Sequence, residues 1–167
     1  TVENFKADKW GSTYFFVDAN FKDNTMESAY AEISRELKFW KAPIAAHVEY
    51  NGGLSGHGSY NDAYLVGPAY NWASKDFKKT FSLQLLYKYL ANQKIGTKHS
   101  WQITTVWGIN FAKGWCTFSG FIDFWREHRA WQNTSHILLA EPQFWVNLNN
   151  IKGWDNVHLS IGSEVEV

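Results

Sequence analysis

Phe81-Ser82-Leu83-Gln84-Leu85-Leu86-Tyr87-Lys88-Tyr89 and Trp101-Gln102-Ile103-Thr104-Thr105-Val106-Trp107-Gly108-Ile109-Asn110-Phe111 set the period of this chain. Alternate residues (Phe81, Leu83, Leu85, Tyr87, Tyr89, then Trp101, Ile103, Thr105, Trp107, Ile109, Phe111) are nearly all greasy or aromatic. The positions between include Ser82, Gln84, Lys88, Gln102 and Asn110. A repeat of two is that of a β-strand with one face on apolar material and the other on water. Which face points outward decides what such a chain does.

The same alternation recurs over 1–8, 12–21, 29–39, 44–51, 62–72, 80–90, 100–111, 115–127, 135–148 and 156–167, which predicts about ten strands in one all-β, antiparallel domain. Good helix formers gather between Met26 and Leu37, yet Tyr30, Glu32, Ser34, Glu36 and Lys38 form an unbroken polar file at period two, and a strand is the better reading. No repeat or linker divides the 167 residues.

Composition narrows the class. The 16 basic and 16 acidic side chains cancel, and no basic stripe points to nucleic acid. The 10 Trp, 8 Tyr and 12 Phe exceed what a soluble core of this size needs. The lone Cys116, between Trp115 and Phe118, excludes an intrachain disulfide and reads as an inert buried or lipid-facing thiol. No apolar run approaches the length of a membrane-spanning helix, but a spanning β-barrel needs none, because half of each of its strands is polar.

Connection lengths orient the sheet. Links 9–11, 40–43 and 112–114 are tight and 73–79 and 149–155 moderate, whereas 52–61, 91–99 and 128–134 are longer and richer in glycine and charge. Outer-membrane barrels pair short periplasmic turns with longer external loops. Trp10, Trp40, Trp72, Trp115 and Trp154 all fall at the short-turn end, as a girdle at a bilayer interface would. An even strand count with both termini on one side further predicts one more strand at each end, twelve in the full chain.

The outward file is predicted to hold Phe15, Val17, Val48, Tyr50, Phe118, Ile122, Phe124, Leu138, Phe144, Leu159, Ile161 and their neighbours at period two, nearly free of charge. The inward file supplies the candidate solute-binding residues: Tyr14, Phe16, Asp18, Glu32, Glu36, His47, Glu49, Lys88, Asp123, Trp125, Glu141, Gln143 and Trp145. His158, Glu164 and Glu166 belong to the same file. Carboxylates outnumber cations among these, so the lumen is expected to be acidic and to disfavour polyanions. Flat rings flanked by amides and carboxylates suit a small planar polar solute, a nucleobase or a sugar. Three residues break the pattern: Arg35 sits in an apolar file, and Pro68 and Pro142 remove ladder donors. A bulge turning Arg35 inward to Glu32 or Glu36, and bulges at both prolines, are expected.

Signals for catalysis are weak. Gly53-Leu54-Ser55-Gly56-His57 lacks the spacing of a nucleophile elbow, the six histidines stand singly, and the 52–58 glycine run opens no helix that could cradle a phosphate. Asp123 with Glu127 or Glu141 could pair as acid and base, yet any barrel lumen offers such pairs, and no cofactor or metal is expected. Asn133-Thr134-Ser135 matches a glycosylation acceptor, a triplet common by chance.

The runs Thr1-Val2-Glu3-Asn4-Phe5-Lys6-Ala7-Asp8-Lys9-Trp10-Gly11, Arg35-Glu36-Leu37-Lys38-Phe39-Trp40, His47-Val48-Glu49-Tyr50-Asn51-Gly52-Gly53, Phe118-Ser119-Gly120-Phe121-Ile122-Asp123-Phe124-Trp125 and Glu141-Pro142-Gln143-Phe144-Trp145-Val146-Asn147-Leu148-Asn149 resemble a Bacteroides-type outer-membrane β-barrel family. That family is distantly similar to nucleoside-specific channel-forming porins, which are twelve-stranded monomeric barrels. The resemblance implies a transmembrane up-and-down β-barrel in the bacterial outer membrane. It further implies a passive channel for small polar solutes such as nucleosides, with the lipid bilayer as its surroundings and outer-membrane proteins as partners to consider. The alternatives carried forward are a barrel plugged by its own side chains and a soluble, aromatic-rich carbohydrate-binding β-sandwich.

Overall fold

The computed structural model describes residues 1–60, 62–128, 134–154 and 156–167. Alternating sequence becomes strand throughout: β1 Val2–Asp8, β2 Gly11–Lys22, β3 Thr25–Leu37, β4 Ile44–Ser55, β5 Gly58–Ser59, β6 Ala63–Ala73, β7 Lys79–Leu90, β8 His99–Phe111, β9 Cys116–Arg126, β10 His136–Asn147 and β11 Ser160–Glu164. All pairings are antiparallel and, the small β5 aside, each strand pairs with its neighbour in sequence: β1-β2-β3-β4-β6-β7-β8-β9-β10-β11. Ten strands thus form one curled half-barrel sheet, with β5 folded back on β4. β1 and β11 are its edges, and the β11 pairing continues past Glu164 through Val165 and Val167 to Pro142 and Ala140.

Several connections differ from expectation, each for a local reason. The link after β2 is a two-residue turn, because Asp23 and Asn24 both adopt left-handed backbone (φ 49° and 63°) and let the hairpin run straight into Thr25. The glycine run expected as loop 52–61 is mostly strand, since β4 continues to Ser55 before turning through Gly56 and His57 into β5. At Gly53 a side chain would strike the Ala29 carbonyl, so glycine admits close strand approach there. The last link is longer than predicted, 148–159, and His158 belongs to it rather than to a strand.

The three expected bulges are absent. Arg35 keeps its register opposite Thr13 and Val48 and stays on the convex face, donating to both carboxylate oxygens of Asp8 (2.8 and 2.9 Å) and to the Thr13 hydroxyl (3.0 Å). Its position near the β1–β2 turn lets a neighbour neutralise it, so no turn inward is needed. Pro142 pairs with Gly120 in unbroken register, and Gly120 (φ 150°) has the indole of Trp107 across the space a side chain would fill. Around Pro68 the register also holds, and only the rungs from Gly67–Pro68 to β7 are missing, which is the local cost of the lost N–H. The irregularity that does occur lies at Asn20/Phe21, beside the β2–β3 turn.

Burial is inverted relative to a water-soluble domain. Ser34, His47, Glu49, Asn51, Gln84, Lys88, Gln102 and Thr104 are buried, while Ile33, Val48, Val66, Leu85, Ile103, Ile122 and Leu138 are exposed. The concave side does hold an apolar cluster, Ala63, Leu65, Leu86 and Leu90. Leu86 interrupts the polar file of β7 for that purpose.

Candidate functional site

Register alone assigns each predicted site residue to the concave face. Tyr14, Phe16 and Asp18 of β2 stand opposite Ser34, Glu32 and Tyr30 of β3, and Glu36, Ser34 and Glu32 stand opposite His47, Glu49 and Asn51 of β4. Lys88 pairs with Leu65 and Ser100, and Asp123 and Trp125 pair with Thr104 and Gln102. Glu141, Gln143 and Trp145 of β10 pair with Phe121, Ser119 and Thr117. The curl brings distant strands together: Glu32 on β3 lies within electrostatic reach of Glu49, Lys88 and Asp123, and Glu141 on β10 within reach of Tyr14 and Asp18 on β2.

These residues divide into two zones. One is packed. Lys88 donates to Gln102 Oε1 (2.8 Å) and lies 4.5 Å from the centre of the Trp125 ring, Gln102 donates to Thr104 (3.0 Å), and Thr104 donates to Asp123. The Trp125 indole N–H donates to Glu127 (2.8 Å). Beside this network His47 bridges two carboxylates, Nε2 to Glu49 at 3.0 Å and Nδ1 to Glu36 at 3.6 Å, while Asn51 and Asn71 donate to Glu49 and Glu36. Buried charges survive only when paired and hydrogen-bonded, and here almost every polar atom has a partner. Among the described residues Gln84 Oε1, Ser82 Oγ and Trp107 Nε1 are without one, and His47 Nδ1 reaches Glu36 only at ion-pair and not at hydrogen-bond distance.

The other zone is half-buried. Tyr14, Phe16, Tyr30 and Tyr60 form a file of rings whose successive centres lie 6.1, 5.8 and 6.4 Å apart, running from the tryptophan end of the sheet to the β5–β6 link. Tyr14 donates to Glu3 (2.9 Å), and Asp18 faces the chain's first residue. On the far wall Gln143 donates to Glu141 (2.7 Å) and accepts from the Trp145 indole (3.2 Å). Sequence reading named Tyr14 and Phe16 but not Glu3, Tyr30 or Tyr60 as site residues. Tyr30 was visible in the polar file of β3, whereas Tyr60 joins only because β5 folds back on β4.

Among the described residues no group of three or more His, Cys, Asp or Glu side chains could hold a metal ion. Glu141 lies within electrostatic reach of Asp18, Glu164 and Glu166, and among the described residues no hydrogen bond joins it to Asp123. Cys116 is a free, half-buried thiol. Asn133, the glycosylation acceptor suggested by sequence, lies outside the described residues.

Fold and site together define a class: an antiparallel up-and-down half-barrel, polar and acidic within and apolar without. Over residues 1–167 the chain matches the family described as a domain of unknown function, DUF5020, and it belongs to that family. No curated protein and no solved structure matches it.

Proposed function

We propose that this protein is a bacterial outer-membrane β-barrel that lets small polar solutes, nucleosides first among them, diffuse through an acidic lumen. The observation that carries this reading is the inverted burial: the convex face offers Val48, Val66, Leu85, Ile103, Ile122 and Leu138 to its surroundings while Glu49, Lys88 and Gln102 are shielded. A soluble monomer rarely exposes apolar area on this scale, whereas hydrocarbon requires it. A second aromatic belt supports the same reading. Tyr50 with Tyr64 (5.3 Å) and Trp101 with Phe124 (5.3 Å) ring the end opposite to Trp10, Trp40, Trp72, Trp115 and Trp154. Two girdles bracketing an apolar band are what two bilayer interfaces call for.

The solute class rests on the half-buried ring file. Every nucleobase has a flat π face that can stack on Tyr14, Phe16 and Tyr30 in turn, and Asp18 and Glu141 offer acceptors for ribose hydroxyls and base amino groups while repelling phosphates. Liposome swelling and single-channel recording with nucleosides, nucleotides and simple sugars test this. Nucleosides are expected to pass faster than nucleotides, and equal passage of anionic and neutral solutes removes the selectivity. A barrel plugged by its own side chains is the second reading, favoured by the packed zone, where Lys88 is 6% and Gln102 5% exposed. Zero conductance in a correctly inserted protein would establish it.

A further inference from the structure

The chain's formal neutrality conceals a segregation of charge along the barrel axis. Strand alternation sends carboxylates such as Glu32, Glu49, Asp123 and Glu141 to the concave face, and the balancing cations collect elsewhere. The links at the tryptophan end carry Lys9, then Lys38 and Lys41, then Lys75 and Lys78 with Lys79 at the start of β7, all exposed. Lys113 and Lys152, also exposed, occupy the remaining two links of that end. Half of the 16 basic side chains therefore crown one rim. Among the described residues of these links Asp76 is the one carboxylate, paired with Lys78 (3.3 Å), and the sequence adds Asp155, which leaves the rim in cationic excess. Among the described residues the opposite end shows no such excess: Lys22 pairs with Glu27 (3.9 Å), and Lys94, Lys98 and Arg126 are offset in number by Asp23, Asp62 and Glu127, to which the sequence adds Arg129.

Two further observations tie the lysine crown to a lipid surface rather than to a soluble polyanion. First, it sits directly beyond the tryptophan ring, and Lys9 Nζ lies 4.9 Å from the centre of the Trp10 indole, so ammonium groups and interfacial rings share one level. Second, Phe77, at the tip of the 74–78 link between Lys75 and Lys78, is 76% exposed and held at φ 54°. A bulky residue in left-handed backbone with its ring in the open is costly in water, and the cost is offset if the ring enters an acyl boundary beneath phosphates. We infer that this rim is a docking surface for the phosphodiester headgroups of an anionic phospholipid leaflet, the lysines binding phosphate while the tryptophans and Phe77 anchor below. The inference rests on the membrane reading and adds to it a lipid class and a fixed end.

The test offers the intact protein, folded in detergent, to vesicles of phosphatidylcholine alone and of phosphatidylcholine mixed with phosphatidylglycerol, with the inserted fraction read by flotation. The expected result is a preference for the anionic vesicles that fades as sodium chloride rises. Replacing Lys75, Lys78, Lys79 and Lys113 by Gln is expected to cut that preference at least about tenfold, and Lys94→Gln with Lys98→Gln to leave it intact. Equal insertion of the unaltered protein into both vesicles, or an undiminished preference in the rim variant, overturns the inference while leaving the membrane reading standing. Failure of every form to enter either vesicle overturns the membrane reading itself. The salt series on the unaltered protein keeps the test independent of how the variants fold.

Discussion

At the scale of single residues, the sequence places side chains whose cost is met by one specific neighbour. Arg35 is tolerable on the convex face because Asp8 binds it with two hydrogen bonds at the rim. Asp76 organises the turn that carries Phe77: its Oδ1 accepts from the Ser74 hydroxyl (2.7 Å) and the Lys78 backbone N–H (3.3 Å). These bonds, the Ser74 hydroxyl foremost, lower the Asp76 carboxyl from 3.8 to about 2. Because the folded value lies below the unfolded one, the turn's contribution is complete above about pH 4 and lost as pH falls through about 2. Carbon-detected NMR titration of the carboxyl is expected to show a midpoint near 2 in the intact protein, moving back towards 3.8 in Ser74→Ala. A midpoint unchanged by that substitution would mean the hydroxyl bond is not the cause.

At the scale of the strand, alternation sets both what is buried and what a mutation costs. Leu85 on β7 is 51% exposed and flanked across the sheet by Ile103, while its neighbours Gln84 and Leu86 point inward and are buried. In water a Leu85→Lys change at so exposed a site would move stability by no more than about 0.5 kcal/mol. Near the middle of a bilayer the same change is expected to cost about 2 to 4 kcal/mol. Unfolding by denaturant from lipid vesicles, compared with Phe81→Lys on the same face nearer the rim, separates the two settings. A penalty within 0.5 kcal/mol at both sites would argue for water on the convex face. Strand ends were harder to read than strand faces. Period two persists into a turn when the turn residues happen to alternate, so β4 through Ser55 and the hairpin at Asp23–Asn24 were hidden by glycine and asparagine that usually mark longer loops.

At the scale of the molecule, the curvature of the sheet decides which inward residues meet, and with that what could pass between them. The ring file predicts that Phe16→Ala combined with Tyr30→Ala slows nucleoside flux several-fold, since base–aromatic stacking is worth about 1 to 3 kcal/mol per base, and leaves potassium chloride conductance nearly unchanged. Loss of both in parallel would mean the rings only hold the wall in shape. The alternation of the sequence by itself determined the all-β fold, the meander order, the polar character of the concave face and the candidate lining from Tyr14 to Trp145. It could do so because side-chain direction in a strand is a local property fixed by parity. Only the tertiary structure decided that Lys88, Glu49 and Trp125 are buried while Tyr14, Phe16 and Glu141 stay half-buried, that Tyr60 joins the ring file, and that Arg35 finds Asp8. Those outcomes depend on how sharply the sheet bends and which distant strands it brings face to face, and parity carries no information about curvature.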